Sequence, residues 1–127
     1  PRREDRLVST IDLGPTILDL FGVPTPSHHM GQSLVPYLLG RPEKLTRPIV
    51  ADSGRLLQAM VFEDGIKIIY DKRLGTSELY DLTRDPGELE TLTDQRPELH
   101  EERLDILHAF FEAHQLRRKG YEIPFRP

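Results

Sequence analysis

The chain has 127 residues, of which 37% are hydrophobic and 30% are charged, and its formal net charge is −4. This length supports one compact domain with a modest core, and the composition is typical of a globular chain rather than a disordered one. Because phosphate binding requires clustered Lys and Arg, the net negative charge argues against nucleic acid as a partner. The sequence has no cysteine, which excludes disulfides, thiolate chemistry and sulfur-based zinc sites in this chain. No apolar run approaches the roughly 18–20 residues that a membrane-spanning helix requires.

The first predicted element is a short helix over residues 12–22. Asp12 or Thr10 can cap its free N–H groups. Pro15 is tolerated in the first turn, and Gly22 ends the helix. Four apolar side chains cover most of its circumference: Ile17, Leu18, Leu20 and Phe21. A helix this apolar is predicted to be buried nearly all round, which requires neighbours from outside this chain.

A proline-rich loop follows the first helix and contains the adjacent histidines His28 and His29. Adjacent histidines in extended chain point to opposite sides, so both could bind one metal ion only in an irregular loop with further ligands. We interpret them as exposed loop residues, and the sequence leaves their role open. A short helix is predicted over residues 33–39, with Pro36 in its first turn and Gly40 at its end.

The hydrophobic period then changes from helical to strand-like, with β-branched residues between turn signals. Four strands are predicted, over residues 49–51, 56–62, 66–70 and 78–82. Between the second and the third, Asp64-Gly65 is a hairpin signal, and we predict a type I′ turn, whose two central residues both adopt positive φ. Strands in series with short connections most simply form an antiparallel sheet.

The last predicted elements are a turn and a long helix. Asp85-Pro86-Gly87-Glu88 predicts a type II turn, because proline presets φ at the second position and glycine accepts positive φ at the third. Residues 97–118 predict an amphipathic helix of about six turns laid on one face of the sheet. Its predicted inner half carries Leu99, Leu104, Ile106, Leu107, Phe110 and Phe111. The basic cluster at residues 117–119 complements the helix dipole at the C-terminal end.

Together these elements predict an α+β fold. A small antiparallel sheet of about four strands is packed by the long C-terminal helix, and a short buried helix precedes the sheet.

Three histidines of the last helix are the next candidates for chemistry. His100 and His114 lie within the apolar arc near its two ends, whereas His108 points away. None of the three has a histidine at i+4, the spacing of a HExxH metal pair. We interpret them as partly buried, hydrogen-bonded side chains rather than as metal ligands.

Two carboxylates and three serines complete the candidates. Asp12 and Asp19 can be read as a pair for acid–base chemistry. We interpret Asp12 as a helix cap and Asp19 as the polar edge of a buried helix. Three serines lack the sequence context of a nucleophile elbow, namely Ser9, Ser33 and Ser53. The sequence therefore assigns no catalytic, cofactor-binding or metal-ligating residue in this chain.

Two phrases in the sequence resemble sulfatases. The first is VSTIDLGPTILDLFGV at residues 8–23, followed by Gly-Gln-Ser-Leu at residues 31–34. It is similar to the sulfatase segment in which a helix carrying Asp-Leu-x-Pro-Thr precedes a Gly-x-Ser-Leu loop. The second is SELYDLTRDPGELETLT at residues 77–93, preceded by a strand with an embedded lysine, and it resembles the C-terminal region of that family. The chain departs from the family at Thr91, where a turn-capping asparagine is common.

The resemblance implies that this chain is the C-terminal, non-catalytic part of a sulfatase, a sulfuric ester hydrolase of the alkaline phosphatase superfamily. Residues 1–47 would then end the large α/β domain, and residues 48–127 would form a C-terminal subdomain. This subdomain would brace the catalytic domain and help wall the substrate cleft. The family's nucleophile is a Cys or Ser in a Cys/Ser-x-Pro-x-Arg motif that matures to formylglycine, and its metal is calcium. Neither the motif nor the calcium site has a counterpart in these residues, so both are expected in the rest of the parent protein.

The sequence leaves two alternatives open. Related phosphodiesterases and phosphonate hydrolases share this layout, so the choice between sulfate and phosphate esters is undecided, as is the compartment. From a different class, the chain can be a stand-alone binding or assembly module. Because it lacks an initiator Met, we expect a fragment whose partner is the N-terminal catalytic domain of the same protein. Four residues of the first helix are then expected to be exposed or covered by another copy: Leu13, Ile17, Leu20 and Phe21.

Overall fold

The structure is a computed structural model, and it describes residues 7–27, 29–41, 47–54 and 56–118, with side chains as far as residue 113. The chain forms two compact units. The first comprises Pro1–Val50 with Phe62–Asp64, and the second comprises Ala51–Val61 with Gly65–Pro127.

The first unit is built on a short helix that starts in a 3₁₀ turn. The turn covers Thr10–Asp12 and continues directly into helix α1, Leu13–Leu20. The helix ends in a Schellman motif, since the N–H of Val23 donates to the carbonyl of Leu18 at 2.9 Å and that of Gly22 to Asp19 at 3.0 Å. Gly22 takes the positive φ of 66° that this motif requires. The predicted stop is therefore confirmed.

Helix α2 spans Val35–Leu38 and is shorter than the predicted range 33–39. Ser33 lies outside it, and its Oγ accepts the backbone N–H of Val35, the first helical residue, at 3.1 Å. This N–H has no partner within the helix, so the hydroxyl satisfies it. Pro36 lies in the first turn, and Gly40 follows the helix with φ of 72°. The helix buries Tyr37.

The four predicted strands form a sheet in the order β1-β2-β3-β4. The strands are β1 (Ile49–Asp52), β2 (Leu57–Val61), β3 (Ile66–Asp71) and β4 (Thr76–Asp81). The pairs β2–β3 and β3–β4 are antiparallel. Met60 pairs with Ile68, which pairs with Leu79, so the three lie in one row across the sheet. All three are fully buried and form the centre of the core.

Both predicted turn types are wrong, although both turns occur. Between β2 and β3, Gly65 has φ of 82° but Asp64 has no positive φ, so the turn is not type I′. The connection is longer than two residues, and loops of that length need a single left-handed position. In the later turn, the positive φ of 55° belongs to Glu88 and not to Gly87, which excludes type II.

Helix α3 spans Pro97–Arg118, the predicted range, and packs on β3 and β4. Leu107 is fully buried at its centre. Two positions differ from the predicted faces. Ile106 is 38% exposed, because it lies about 100° around the helix from Leu107. His108 was predicted to point away, yet its ring packs edge-on against Tyr70 with a centroid distance of 4.7 Å.

Candidate functional site

The carboxylate of Asp12 is the most buried charged group of the first unit, with 0% of the residue exposed. Its Oδ2 accepts the N–H of Ser9 at 2.8 Å, and its Oδ1 accepts the N–H of Gln32 at 2.9 Å. Its Oδ1 also pairs with the guanidinium of Arg47. The carboxylate caps the 3₁₀ turn through Ser9 but makes no capping bond to α1, so the predicted role is confirmed only for that turn. Its lone pairs hold chain segments together and are not free for acid–base chemistry.

Asp12 begins a polar stripe on α1 that holds the loop before α2. Thr16 Oγ1 accepts the N–H of Leu34 at 2.9 Å, and Asp19 Oδ2 accepts the hydroxyl of Ser33 at 2.5 Å. Positions 12, 16 and 19 follow the i, i+4, i+7 spacing of one helix face. The two candidate carboxylates therefore hold consecutive residues of one loop, and the predicted polar role of Asp19 acquires a defined partner.

Gly31 permits this loop to approach α1. A Cβ at this position would overlap the backbone carbonyl of Ile11, so a larger residue would force the two segments apart. The Gly-Gln-Ser-Leu phrase thus has a steric reason for its glycine and hydrogen-bonding reasons for the residues that follow.

A second stripe of α1, about 100° further around the helix, is apolar and exposed. It consists of Leu13, Ile17, Leu20 and Phe21, which are exposed by 56%, 54%, 61% and 81%. The spacing i, i+4, i+7, i+8 places them on one face of about 100°. Within the described part of the chain, α1 thus binds the loop with its polar face and exposes its apolar face, the reverse of the usual arrangement. The expected exposure of these four residues is confirmed, and the expectation that α1 is buried nearly all round is wrong for this chain alone.

An ion pair ties the embedded lysine of β3 to the turn after β4. Lys67 Nζ lies 2.7 Å from Oε1 and 2.8 Å from Oε2 of Glu88. Asp85 holds the rest of this turn, because its Oδ2 accepts the N–H groups of Leu89 at 2.7 Å and Glu90 at 2.9 Å. The contacts account for Lys67, Asp85 and Glu88 as structural groups.

Tyr80 lies beside this ion pair as the cross-strand partner of Lys67. Its hydroxyl donates to Glu78 Oε2 at 3.1 Å. Burial raises the pKa of the Tyr80 phenol, and the neighbouring carboxylates, first of all Glu78, raise it further.

The histidines of α3 help to fasten the helix to the sheet. His100 Nε2 lies 2.8 Å from the hydroxyl of Ser77, a half-buried contact. Tyr70, which contacts His108, is the cross-strand partner of Ser77. The prediction of partly buried, hydrogen-bonded histidines is confirmed for His100. The side chain of His114 lies outside the described residues.

The remaining candidates are local. His28 lies outside the described residues, and His29 is exposed. Ser53 Oγ accepts the N–H of Leu57 at 2.8 Å, which stabilises the connection between β1 and β2. In the described ranges, no group of three or more His, Cys, Asp or Glu is arranged to hold a metal ion. No helix among them combines the length and the apolar character needed to cross a membrane.

Two partners of Asp12 were not identified from the sequence. Arg47 lies 35 positions away and Gln32 lies 20 positions away. Neither position carries a local signal, because the hydrogen bond of Gln32 comes from its backbone and the arginine lies in a loop.

Comparison with known proteins relates the chain to sulfatases. It is 33% identical over 90 residues to a Delta 4,5-hexuronate-2-O-sulfatase of Bacteroides thetaiotaomicron, covering 65% of this chain and 19% of that protein. It is 34% identical over 113 residues to an uncharacterized sulfatase of Schizosaccharomyces pombe, and the match covers 80% of this chain and 20% of that protein. The chain thus spans about a fifth of the length of these relatives. No family model matches the chain.

Solved structures share the fold of the chain. A putative sulfatase from Bacteroides thetaiotaomicron superposes with a TM-score of 0.67 at 22% identity, covering 91% of this chain and 27% of that one. A 2-O glycosaminoglycan sulfatase superposes with a TM-score of 0.66 at 22% identity and the same coverage. The likeness extends through both units of the chain.

Proposed function

Because this chain is related in sequence and fold to the C-terminal region of sulfatases, we propose that it serves as the non-catalytic closing part of a sulfuric ester hydrolase. In this role it braces the catalytic domain of the same polypeptide and helps to form the wall of the substrate cleft. The relatives are about five times longer than the matched segment, which supports a parent protein with a separate catalytic part.

The observation that carries the bracing role is the reversed amphipathicity of α1. Its polar face is occupied by the loop at residues 31–34, whereas its apolar face is exposed at Leu20 and Phe21. Contiguous apolar side chains on a helix face are the usual mark of a packing surface, and burying each one contributes about 1–2 kcal/mol. We infer that the preceding part of the parent chain covers this face.

The formylglycine nucleophile and the calcium ion of the proposed enzyme belong to that preceding part. No Cys/Ser-x-Pro-x-Arg motif that could mature to formylglycine occurs in these 127 residues. The buried carboxylate of Asp12 is already engaged by two backbone N–H groups and by Arg47, so it does not fit a calcium site. The role of this chain is therefore to position and to cover, and no chemical step is assigned to its residues.

A sulfated sugar is the substrate class we propose for the parent enzyme. The relatives include the hexuronate-2-O-sulfatase, and one structural neighbour at a TM-score of 0.64 is described in complex with D-glucosamine-2-N,6-O-disulfate.

The first test reads the coding frame that precedes Pro1. A Cys/Ser-x-Pro-x-Arg motif with acidic metal ligands supports the sulfatase, whereas a threonine nucleophile with additional metal-binding Asp and His favours a phosphodiesterase or phosphonate hydrolase. A stop codon or an unrelated domain overturns the proposal and leaves the stand-alone module.

The second test measures turnover of an aryl sulfate and of an aryl phosphodiester by the full-length protein and by its Phe21→Glu variant. We expect sulfate turnover to dominate and the variant to lose stability and activity together. Leu89→Glu is the matched control, because Leu89 is 85% exposed on a turn of the second unit. Equal activity of Phe21→Glu and the parent protein would contradict the bracing role, and turnover by the isolated chain would contradict the non-catalytic one.

A further inference from the structure

The outer edge of β4 is the place where another strand could join the sheet. β4 is the last strand in the order β1-β2-β3-β4, so among the described residues it has a strand neighbour on one side only. An uncovered strand edge presents unpaired N–H and C=O groups, and it accepts strands from other chains unless something blocks it.

The segment Thr91–Thr93 covers this edge at its centre, residue Leu79. The N–H of Leu92 donates to the carbonyl of Leu79 at 2.7 Å. The N–H of Leu79 donates to Thr93 Oγ1 at 3.1 Å, and Thr91 Oγ1 donates to the same carbonyl at 3.3 Å. Both outward backbone groups of the central residue are therefore occupied, although no strand from the part of the chain that the structure describes lies there.

The hydroxyls of Thr91 and Thr93 also form a hydrogen bond with each other. Thr91 Oγ1 and Thr93 Oγ1 are 2.8 Å apart, and the N–H of Thr93 donates to Thr91 Oγ1 at 3.3 Å. A threonine hydroxyl both donates and accepts, so this pair can serve the carbonyl and the N–H of one residue at once. Further along the edge, the carbonyl of Asp81 accepts the N–H groups of Arg84 at 3.1 Å and Asp85 at 2.8 Å.

We propose that Thr91–Thr93 is an edge strap: it closes β4 and prevents the sheet from pairing with an extended strand of a second copy of this chain. The specific element is the hydroxyl of Thr93, because it accepts the one outward N–H of Leu79. The partner that the strap excludes is thus another strand edge, recognised through backbone hydrogen bonds and not through a side-chain motif.

The test compares Thr93→Val with Thr93→Ser, since serine keeps the hydroxyl and valine keeps the shape. Amide hydrogen exchange is followed at Leu79, and the oligomeric state is followed by sedimentation velocity at matched concentrations. We expect exchange at Leu79 to rise at least about tenfold in Thr93→Val. We also expect larger species than in the unmodified chain, with Thr93→Ser behaving like the unmodified chain in both respects.

Two outcomes would overturn the proposal. Unchanged protection of Leu79 in Thr93→Val would mean that the hydroxyl does not occupy this edge. Faster exchange without any additional association would mean that the strap does not block pairing. If Thr93→Val does not fold, Thr93→Ala is measured in the same way, because it also removes the hydroxyl that accepts the N–H of Leu79.

Discussion

At the scale of single residues, Asp12 decides how the first unit is organised. Its carboxylate joins the chain before α1, the loop before α2 and an arginine that precedes β1. Two of these bonds come from backbone N–H groups, which an amide side chain cannot satisfy with its nitrogen. The third is an ion pair with a carboxylate that water does not reach, and such a pair is strongly weakened when one charge is removed.

We therefore expect Asp12→Asn to lower the free energy of unfolding by about 3 kcal/mol, since it leaves the cation of Arg47 without its counter-charge. The measurement is the midpoint of urea unfolding at constant slope. Asp19→Asn is the control on the same polar stripe; because Asp19 is exposed, we expect a loss below about 1 kcal/mol. Similar losses in the two variants would contradict the role assigned to Asp12.

At the scale of the elements, β4 links core packing to a titratable group. Tyr80 is nearly buried on this strand, and its phenol has a raised pKa because of burial and of Glu78. Ionisation then costs more in the folded chain than in the unfolded chain. The neutral phenol of Tyr80 therefore contributes to the stability of the folded chain. This contribution is complete below the pKa of about 10 for an unfolded tyrosine, and it is lost as the pH rises from there through the folded pKa.

Tyr80→Phe is accordingly expected to unfold at a midpoint that declines less steeply above pH 10 than that of the unmodified chain. At pH 7 its midpoint should be slightly lower, because the hydrogen bond to Glu78 is gone. Urea unfolding from pH 7 to pH 11 measures both effects. Glu78→Gln, which removes part of the cause, should give an intermediate slope. Parallel curves for Tyr80→Phe and the unmodified chain would refute the assignment.

The elements also show how far local sequence determines the structure. The range of α3 and the succession of four strands were predicted because helical and strand periodicities are local properties of the sequence. Turn types were not predicted correctly, since Asp64 and Gly87 were assigned conformations from residue preference. The length of the loop decides the first turn, and a tertiary contact accompanies the left-handed residue of the second. Glu88 accepts the left-handed conformation with its carboxylate bound to Lys67, a contact between positions 21 residues apart.

In the candidate site, too, the local sequence identified the polar residues but not their long-range contacts. The sequence singled out Asp12 and Asp19 as paired carboxylates, but spacing alone could not show that they hold consecutive loop residues. The partner of Asp12 at position 47 lies in a loop, where no periodicity indicates a neighbour. Long-range pairing of this kind depends on the folded chain, so pattern reasoning identified the polar residues and missed the contacts that explain them.

At the scale of the whole molecule, we expect the isolated chain to associate through the exposed apolar face of α1. Four side chains at i, i+4, i+7 and i+8 form one stripe that water contacts in this chain. If the catalytic part of the parent normally covers the stripe, its absence leaves a second copy as the available apolar surface. The free energy gained by burying a few partly exposed side chains only slightly exceeds the free-energy cost of association, so a weak dimer is expected.

Light scattering across about 10 µM to 1 mM should therefore give a mean mass that rises with concentration. Phe21→Glu should reduce the rise, because a charge at the most exposed position of the stripe opposes its burial. Leu89→Glu changes a side chain of similar exposure in the second unit and should leave the rise unchanged. A constant monomer mass for the unmodified chain would count against a face that a missing domain covers. Equal effects of the two variants would instead indicate non-specific association, since only the α1 stripe predicts a difference between them.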